Sequence, residues 1–432
     1  MQNHFKKIIT TLITLEARLV QKRYYPTVVA VTGSIGKTST KDGLFTMLTE
    51  FVHVRKSQKS FNSDTGVPLS ILGLPNAWTN PVLWVWNLIR GASQIIYTQY
   101  PKWLVLEVGA DKPNDIRDVA KWLKPNIVVI TKFPEIMAHI EFFESRDAVI
   151  NEKASLAEAL SKDGLLILNA DDADVLALRN RVLCRTLTYG VSKEATVRLV
   201  SKELLYAPRD GAVFPSGIKL EVDVAGTHVT LMIDGALGDS HSMVVLASLA
   251  LAYGRNFDIF RAARALERYA TPPGRLSLID GRNQSLIIDD TYNSSPEAAI
   301  HALGILKSLK TKGRKIAVLG DMLELGKLAV EAHKGVGKVA ADSVDMLITV
   351  GIRATHIAEN AFMFGLGKDK VIEARDAYQA GEIVREMLSI GDIVLVKASQ
   401  GIRLERTVEM LMAKPEEAKE RLVRQEREWK KR

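Results

Sequence analysis

The chain has 432 residues and a formal net charge of +8, and 47% of its residues are hydrophobic. This length predicts two or three domains, and the composition is that of an ordinary globular protein. The single cysteine, Cys184, excludes an internal disulfide framework and a cysteine-based zinc site. Because no secretory signal pattern is evident and no apolar run reaches the ~18 residues of a membrane span, we expect a cytoplasmic protein without a transmembrane segment.

The first predicted element is a helix, since residues 5–24 repeat apolar side chains at helical spacing. From residue 27 to about residue 170, apolar strands alternate with helical patterns, which is typical of a parallel sheet covered on both faces. The predicted strands are 27–31, 103–108, 126–131 and 164–169.

A change of period follows in residues 195–235, where polar and apolar side chains alternate as in an antiparallel β appendage. A helix is predicted at about 241–254, and the turn 271–274, Thr-Pro-Pro-Gly, reads as a domain boundary. Beyond it the strand–helix rhythm resumes. We therefore predict an α/β protein with an N-terminal helix (1–25), a central domain (26–270) and a second α/β domain (271–432) that ends in a charged helical tail.

The segment 78–100 and the tail 414–432 each allow two interpretations. The first is rich in Trp and Tyr and has few charges, which favours a helix packed on the core or on a partner over an interfacial membrane helix. The tail mixes Glu with Lys and Arg at helical spacing, which favours a solvated helix over a nucleic-acid-binding arm. No nucleic-acid-binding motif is present, so we expect no nucleic-acid partner.

The most informative motif is the stretch 32–39, which lies between a predicted strand and a predicted helix. Its spacing, G-x-x-G-K-T-S, is a short form of a phosphate-binding loop, in which backbone N–H groups and a helix N-terminus converge on an anion. Lys37 can reach the terminal phosphates of a nucleotide and the Thr38 hydroxyl can hold Mg²⁺. The predicted phosphate-binding residues are Gly33, Ser34, Gly36, Lys37, Thr38 and Ser39.

Further polar residues follow the predicted strands, at the edge where open α/β sheets bind ligands. Glu107 ends one strand, His139 and Glu141 follow the next, and Lys153 lies in the helix after them. Each has an ordinary structural interpretation when taken alone. Beside a phosphate-binding loop, however, a carboxylate such as Glu107 is suited to share a Mg²⁺ ion with Thr38.

Taken in order, these motifs resemble those of the Mur ligase family, ATP-dependent amide ligases of bacterial cell-wall precursor synthesis. The similar segments cover about residues 27–412 and are 32–39, 62–68, 107–111, 138–146, 152–154, 168–172, 241, 274–276, 289–296, 319–326 and 396–399. Segments 290–296 and 320–326 look most like the members that add D-alanyl-D-alanine to a UDP-muramoyl tripeptide. The resemblance implies a central P-loop ATPase domain followed by a Rossmann-like domain.

The resemblance also implies a reaction. ATP phosphorylates a precursor carboxylate to an acyl phosphate, and an amino-acid or dipeptide amine then displaces the phosphate. Lys37 would hold the β and γ phosphates, and Thr38 with Glu107 would hold one Mg²⁺. A second Mg²⁺ would be bound by His139 and by Lys153, the latter carbamylated by CO₂. In this assignment Lys37, Glu107, His139 and Lys153 are the catalytic residues.

Other residues are assigned to the substrates by the same resemblance. Asn169 and Arg275 would contact the nucleotide and its phosphates, and Asp290 the ribose. On the second domain, the face toward the incoming amine would carry Asn293, Lys397 and Ser399.

Two departures from the family pattern bear on the substrates. Members carry a UDP-binding domain before the phosphate loop, whereas 26 residues precede the first predicted strand here. UDP recognition is therefore expected from residues 1–25 and 76–100 or from a partner, unless the acid is a different one; the same two segments are candidates for contact with a protein or a membrane surface. Ser242 and Val245 stand where the family usually has asparagines, which leaves adenine selectivity open.

Three hypotheses follow. The first is a ligase that adds D-alanyl-D-alanine to a cell-wall precursor. The second is a ligase of the same chemistry that uses another acid and amine or needs a partner subunit. The third is a catalytically inactive nucleotide-binding scaffold, which the presence of Lys37, Thr38, Glu107, His139 and Lys153 argues against.

Overall fold

A computed structural model describes residues 2–58, 61–96, 99–135, 140–209 and 211–430, with the backbone alone for residues 2–6. The helices are α1 Gln2–Tyr24, α2 Lys37–Leu48, α3 Gly66–Leu72, α4 Pro81–Gln94, α5 Asp115–Leu123, α6 Arg146–Glu158, α7 Ala173–Ala177, α8 Asp239–Gly254, α9 Ile259–Leu266, α10 Pro296–Ser308, α11 Ala329–Ala341, α12 Thr355–Met363, α13 Ala377–Met387, α14 Glu405–Leu411, α15 Ala418–Arg421 and α16 Arg427–Lys430. The strands are β1 Thr27–Thr32, β2 Val54–Lys56, β3 Trp103–Glu107, β4 Ile127–Ile130, β5 Leu165–Asn169, β6 Arg185–Gly190, β7 Val197–Arg209, β8 Ala212–Val224, β9 Thr227–Asp234, β10 Ser277–Gly281, β11 Ser285–Asp290, β12 Lys315–Gly320, β13 Met346–Val350, β14 Val371–Ala374 and β15 Ile393–Lys397.

The first sheet is built around β1. Among the described residues it has nine strands in the order β2-β3-β1-β4-β5-β6-β7-β8-β9. Strand β1 pairs in parallel with β3 on one side and with β4 on the other. The strand order therefore reverses at β1, which is the topological switch point of the sheet. Alternate residues of β1 enter two hydrophobic clusters, one on each face, which is why the strand is apolar throughout. The loop after such a strand lies at the position where open α/β sheets bind ligands.

The antiparallel appendage is continuous with this sheet. Strands β7, β8 and β9 pair antiparallel with one another, as the alternating pattern predicts, and β7 pairs in parallel with β6. The outer strands therefore extend the parallel sheet rather than forming a separate one.

A second sheet begins after residue 276. The described strands form the order β10-β11-β15-β12-β13-β14, and all the pairings except β10–β11 are parallel. Strands β11 and β15 lie side by side in a register that places Asp290 opposite Lys397. The carboxyl ends of these strands thus bring two residues that are far apart in sequence to one edge of the sheet.

The predicted α/β class is confirmed, with mostly parallel sheets in both halves of the chain. Strands β2, β6 and β10 were not predicted. β2 has three residues and β6 alternates polar with buried side chains, so neither has the continuous apolar run by which the other parallel strands were recognised. The tail also differs from the expected single helix. It forms the short helices α15 and α16, and Leu422 and Arg424 between them are buried. Leu422 enters a hydrophobic cluster of the second sheet, and Arg424 donates to the Thr291 carbonyl just after β11.

Helix α1 packs one face on the first sheet's outer layer. Ile9, Ile13, Ala17 and Val20 are at most 5% exposed and belong to the same hydrophobic cluster as β1 and β3. The opposite stripe, which includes Leu15, is exposed. Within the described residues, no helix combines the length and hydropathy required to cross a bilayer.

Replacing Ile13 by Ala should therefore lower the free energy of unfolding by about 2–5 kcal/mol, because it leaves a cavity at a fully buried position. Chemical denaturation followed by circular dichroism measures the change. Leu15→Ala on the same helix is the matched control, since Leu15 is 52% exposed and its truncation should change stability by less than about 0.5 kcal/mol. Equal losses for both variants would show that α1 is not anchored by its inner face.

Candidate functional site

The phosphate-loop motif forms the turn between β1 and α2. Gly33 has φ +135°, and a Cβ there would lie 2.0 Å from Thr131 Oγ1, so the loop passes too close to the end of β4 for any side chain. Gly36, at φ +86°, adopts the left-handed conformation immediately before α2. The Ser34 N–H donates to the Lys132 carbonyl at 2.8 Å, which fixes the loop against the segment after β4. The two glycines of the motif are thus required by this backbone path.

Thr38 and Glu107 meet directly behind this loop. The Thr38 hydroxyl donates to Glu107 Oε2 at 2.8 Å, and both side chains are buried, at 5% and 1% exposure. Asn62 Nδ2 donates to the other carboxylate oxygen, Oε1, at 3.1 Å. Arg275 Nη2 donates to Thr38 Oγ1 at 2.9 Å. A buried carboxylate is costly unless its oxygens are hydrogen-bonded, and Thr38 and Asn62 supply the partners of Glu107.

Two lysines lie beside this group. Lys37 Nζ donates to the carbonyls of Gly33 and Ser34 at 3.1 and 3.3 Å, and burial lowers the pKa of its amine. Lys153, on α6, is 5% exposed. Burial, with a smaller contribution from the positive charge of Lys37, lowers the pKa of Lys153 to about 7. A large fraction of Lys153 is therefore a neutral amine at neutral pH.

Neighbouring Glu152 explains how Lys153 is held. Its carboxylate accepts hydrogen bonds from the backbone N–H groups of Asn114, Ile116 and Arg117, at 2.7–3.0 Å. These groups lie at the N-terminus of α5, where a negative charge is favourable. The interaction joins α5 to α6 and sets the position of Lys153 along the sheet edge.

A cleft opens in front of the loop, between the carboxyl edges of the two sheets. The residues predicted from sequence that line it are Ser34, Gly36, Ser39, Asn169, Arg275, Asp290, Asn293 and Lys397. Among the described residues, the Ser34 hydroxyl is buried without a hydrogen-bond partner, so it is available to a ligand at the loop. The Asn169 side-chain oxygen accepts from the Asp171 N–H at 2.9 Å, in the turn after β5.

The second-sheet side of the cleft is organised by Arg275 and by an ion pair. The Arg275 guanidinium lies 4.2 Å from the centroid of the Tyr292 ring while it donates to Thr38. Lys397 Nζ contacts Asp290 Oδ2 at 2.6 Å and donates to the Asn293 carbonyl at 3.0 Å. Lys397 is 2% exposed. Its charge is therefore directed to Asp290 and orients that carboxylate at the cleft wall.

Ser399 does not line the cleft. The Ser399 hydroxyl accepts from the Leu323 N–H at 2.9 Å and donates to the Ser294 carbonyl at 3.4 Å, so it connects two loops. His139 lies outside the described residues. In the described parts of the chain, no group of three or more His, Cys, Asp or Glu side chains forms a metal-binding cluster.

His241, on α8, is buried and neutral. Its Nε2 lies 3.2 Å from the Arg275 carbonyl and its Nδ1 lies 3.3 Å from the Tyr269 hydroxyl. These contacts fit a ring that donates from Nε2 and accepts at Nδ1. Burial lowers the pKa of His241 to about 4. Ser242 and Val245 are fully buried. Met243, on the same helix, lines the cleft.

Asn62, Glu152 and Tyr292 are the residues to which sequence reasoning assigned no role. All three lie within segments that carried the family resemblance, 62–68, 152–154 and 289–296. Their position in these segments was the only feature of the sequence that pointed to a role for them. Their contacts to Glu107, to the N-terminus of α5 and to Arg275 are long-range, and nothing in the local pattern specifies them.

The comparison with family models decides the classification. The Mur ligase middle domain matches residues 31–231, and the family described as "Mur ligase, glutamate ligase domain" matches residues 274–400. The chain belongs to the Mur ligase family.

Individual relatives agree with this assignment. The chain is 32% identical over 394 residues to UDP-N-acetylmuramoyl-tripeptide–D-alanyl-D-alanine ligase of Bacillus subtilis (strain 168), a match that covers 90% of this chain and 76% of the relative. It is 30% identical over 412 residues to the protein of the same name from Mycobacterium bovis, with 90% and 73% covered. These relatives are longer than the matched region.

Solved structures show the same fold. The MurF ligase of Thermotoga maritima in complex with ADP has a TM-score of 0.73 and 26% identity, over 96% of this chain and 84% of that one. MurF from Acinetobacter baumannii has a TM-score of 0.75 at 21% identity, over 92% and 79%. This Mur ligase is accordingly an ATP-dependent enzyme that forms an amide bond.

The stability of this Mur ligase should fall as the pH drops from about 6.5 to about 4. The unfolded chain binds a proton at His241 in this range whereas the folded chain does not, so acid favours unfolding. The loss of folding free energy caused by His241 is absent above pH ~6.5 and reaches on the order of 3 kcal/mol near pH 4. Comparing the free energy of unfolding of the wild type and His241→Gln across this range isolates the effect. The wild type should lose more stability than the variant; parallel curves would exclude a buried neutral His241.

Proposed function

We propose that this Mur ligase joins D-alanyl-D-alanine to the carboxylate of a UDP-N-acetylmuramoyl tripeptide in peptidoglycan precursor synthesis, in the cytoplasm. The observation that carries the proposal is the bond from Arg275 to Thr38, which connects the phosphate loop to the cleft wall formed by the second sheet. The names of the relatives from Bacillus subtilis and Mycobacterium bovis support the choice of substrates.

The nucleotide side of the proposal rests on the loop. Lys37 supplies a positive charge, Ser34 an unpartnered hydroxyl, and the N-terminus of α2 its N–H groups, which together suit the β and γ phosphates of ATP. We assign Asn169 to the nucleotide and Asp290 to the ribose, since both residues line the cleft. Arg275 is suited to contact the transferred phosphoryl group, because its guanidinium lies over Tyr292 at the cleft wall and donates to Thr38.

The donor set also suits Mg²⁺. Thr38 and Glu107 present a hydroxyl and a carboxylate oxygen 2.8 Å apart, and hard divalent cations prefer oxygen ligands. We propose that they hold one Mg²⁺ and that a carbamylated Lys153, with His139, holds a second. Bound Mg²⁺ would neutralise charge on the phosphates. A neutral Lys153 amine can attack CO₂ to give a carbamate, with release of one proton, and the product is an anionic oxygen ligand.

The proposed reaction has two steps. A carboxylate oxygen of the precursor attacks the γ phosphorus of ATP, ADP leaves, and an acyl phosphate forms. The amine then attacks the acyl carbon and loses a proton, and inorganic phosphate leaves as the amide forms. The protein's contribution is positioning and charge neutralisation by Lys37 and Arg275, which act in a partly buried site.

We further propose that residues 26–270 and 271–432 act as two domains that close on the substrates and exclude water. Asn293 is suited to meet the incoming amine, because this residue lines the cleft. Lys397 and Ser399 would act on that face indirectly, the first by orienting Asp290 and the second by holding the loop that contains Ser294.

The test is a coupled phosphate-release assay with Mg-ATP. Phosphate release should require both UDP-N-acetylmuramoyl tripeptide and D-alanyl-D-alanine, and Lys37→Ala should reduce kcat by on the order of 100-fold or more, because the charge on the phosphates is no longer neutralised. Lys193→Ala, at an exposed site, is the control and should retain wild-type rates. Activity with another acid and amine but not with this pair would refute the substrate assignment and leave the ligase chemistry standing.

Carbamylation of Lys153 makes a separate prediction. In enzyme exchanged into ¹³C-bicarbonate, NMR should show one carbamate carbon signal that disappears in Lys153→Ala and remains in Lys193→Ala. The signal should weaken as the pH falls below about 7, since protonated Lys153 cannot attack CO₂. A signal that persists in Lys153→Ala would place the modification on another residue.

A further inference from the structure

An exposed apolar stripe runs along α1. Ile8, Leu12, Leu15 and Leu19 are 58%, 41%, 52% and 43% exposed. Their spacing of four, three and four residues places them on one side of the helix. The buried residues Ile9, Ile13, Ala17 and Val20 occupy another side, so the exposed stripe is not required to hold α1 on the protein.

Helix α4 carries a second stripe of the same kind. Val82, Val85, Trp86 and Ile89 are 76%, 53%, 54% and 57% exposed and recur at helical spacing. The opposite side, with Trp84, Asn87 and Gly91, is buried. The sequence favoured a helix packed on the core or on a partner. In the structure the inner face of α4 packs on the core, and its outer face is exposed.

The two helices are neighbours. The Tyr24 hydroxyl at the end of α1 donates to the Gln94 carbonyl at the end of α4, at 2.9 Å. Gly91 lies so close to Glu16 that a Cβ at this position would be 2.0 Å from Glu16 Oε2. Single exposed apolar residues are common on protein surfaces, but eight on two adjoining helices are unusual and indicate a binding surface.

The charges of this surface are of one sign. Among the residues with described side chains, helix α1 carries Lys7, Arg18, Lys22 and Arg23, and α4 carries Arg90. All of these whose side chains are described are exposed. The only carboxylate in the two helices, Glu16, is turned toward Gly91, and burial raises its pKa to about 7. The exposed face thus combines apolar side chains and a Trp with basic residues and presents no exposed acid.

We propose that the outer faces of α1 and α4 bind the surface of an anionic lipid bilayer. Aliphatic side chains and Trp enter the region between head groups and acyl chains, while flanking Lys and Arg contact anionic head groups. A second copy of the chain fits this surface less well, because it would bring basic residues against basic residues. The binding is peripheral, because the two helices stay packed on the protein by their inner faces.

Co-sedimentation with vesicles tests the proposal, with phosphatidylcholine alone compared with a phosphatidylcholine–phosphatidylglycerol mixture. The full-length protein should bind the mixture and not phosphatidylcholine alone, and added salt should reduce the bound fraction. Leu12→Glu/Leu15→Glu and Val85→Glu/Trp86→Glu should each weaken binding by about tenfold or more, because each places two carboxylates on the inserted face.

The matched control is Phe362→Glu/Met363→Glu at the end of α12, where the two side chains are 54% and 75% exposed. This variant should bind as the wild type does, and all variants should keep wild-type circular dichroism. Trp86→Phe should retain binding but lose part of the shift in tryptophan emission on adding vesicles. Absence of binding to the anionic vesicles, equal loss in the control variant, or a stripe variant that changes the mass in solution without lipid would each overturn the proposal.

Discussion

The hydrogen bond between Thr38 and Glu107 is the interaction on which the site depends. It joins the loop after β1 to the end of β3, and both side chains are almost fully buried. A carboxylate in such a place must be hydrogen-bonded, and Asn62 donates to its second oxygen. Arg275 donates to the Thr38 hydroxyl oxygen. Because Arg275 belongs to the segment that leads into the second sheet, its bond to Thr38 also links the two halves of the chain.

The geometry around this bond follows from strand order. Strand β1 lies between β3 and β4, all in parallel, so the loops that leave their carboxyl ends converge on one edge. Strands β11 and β15 do the same in the second sheet and bring Asp290 and Lys397 together. The cleft lies between these two edges, and its polar residues are strand-end residues on either side. A ligase of this kind is thus assembled from two sheets, each of which contributes one wall.

Two desolvated lysines determine the charge arrangement beside the phosphate loop. Lys37 and Lys153 are close enough for one positive charge to disfavour the other, and both are desolvated. Phosphate groups or a carbamate reduce this repulsion, so the protein site is electrostatically prepared for anions. Helices α1 and α4 differ from the site in that each exposes a stripe of apolar residues. Their inner faces hold them on the protein, and their outer faces remain available for binding.

The sequence by itself determined the α/β class and the phosphate-binding loop, because these depend on local periodicity and on a motif with fixed spacing. It did not reveal strand β6, the break in the C-terminal tail or the partners of the buried carboxylates. Tertiary structure alone decided the contacts of Asn62, Glu152, Tyr292 and the Ser399 hydroxyl. The physical reason is that each of these groups is satisfied by a residue from a different part of the chain, and that pairing exists only once the strands have their order in the sheet.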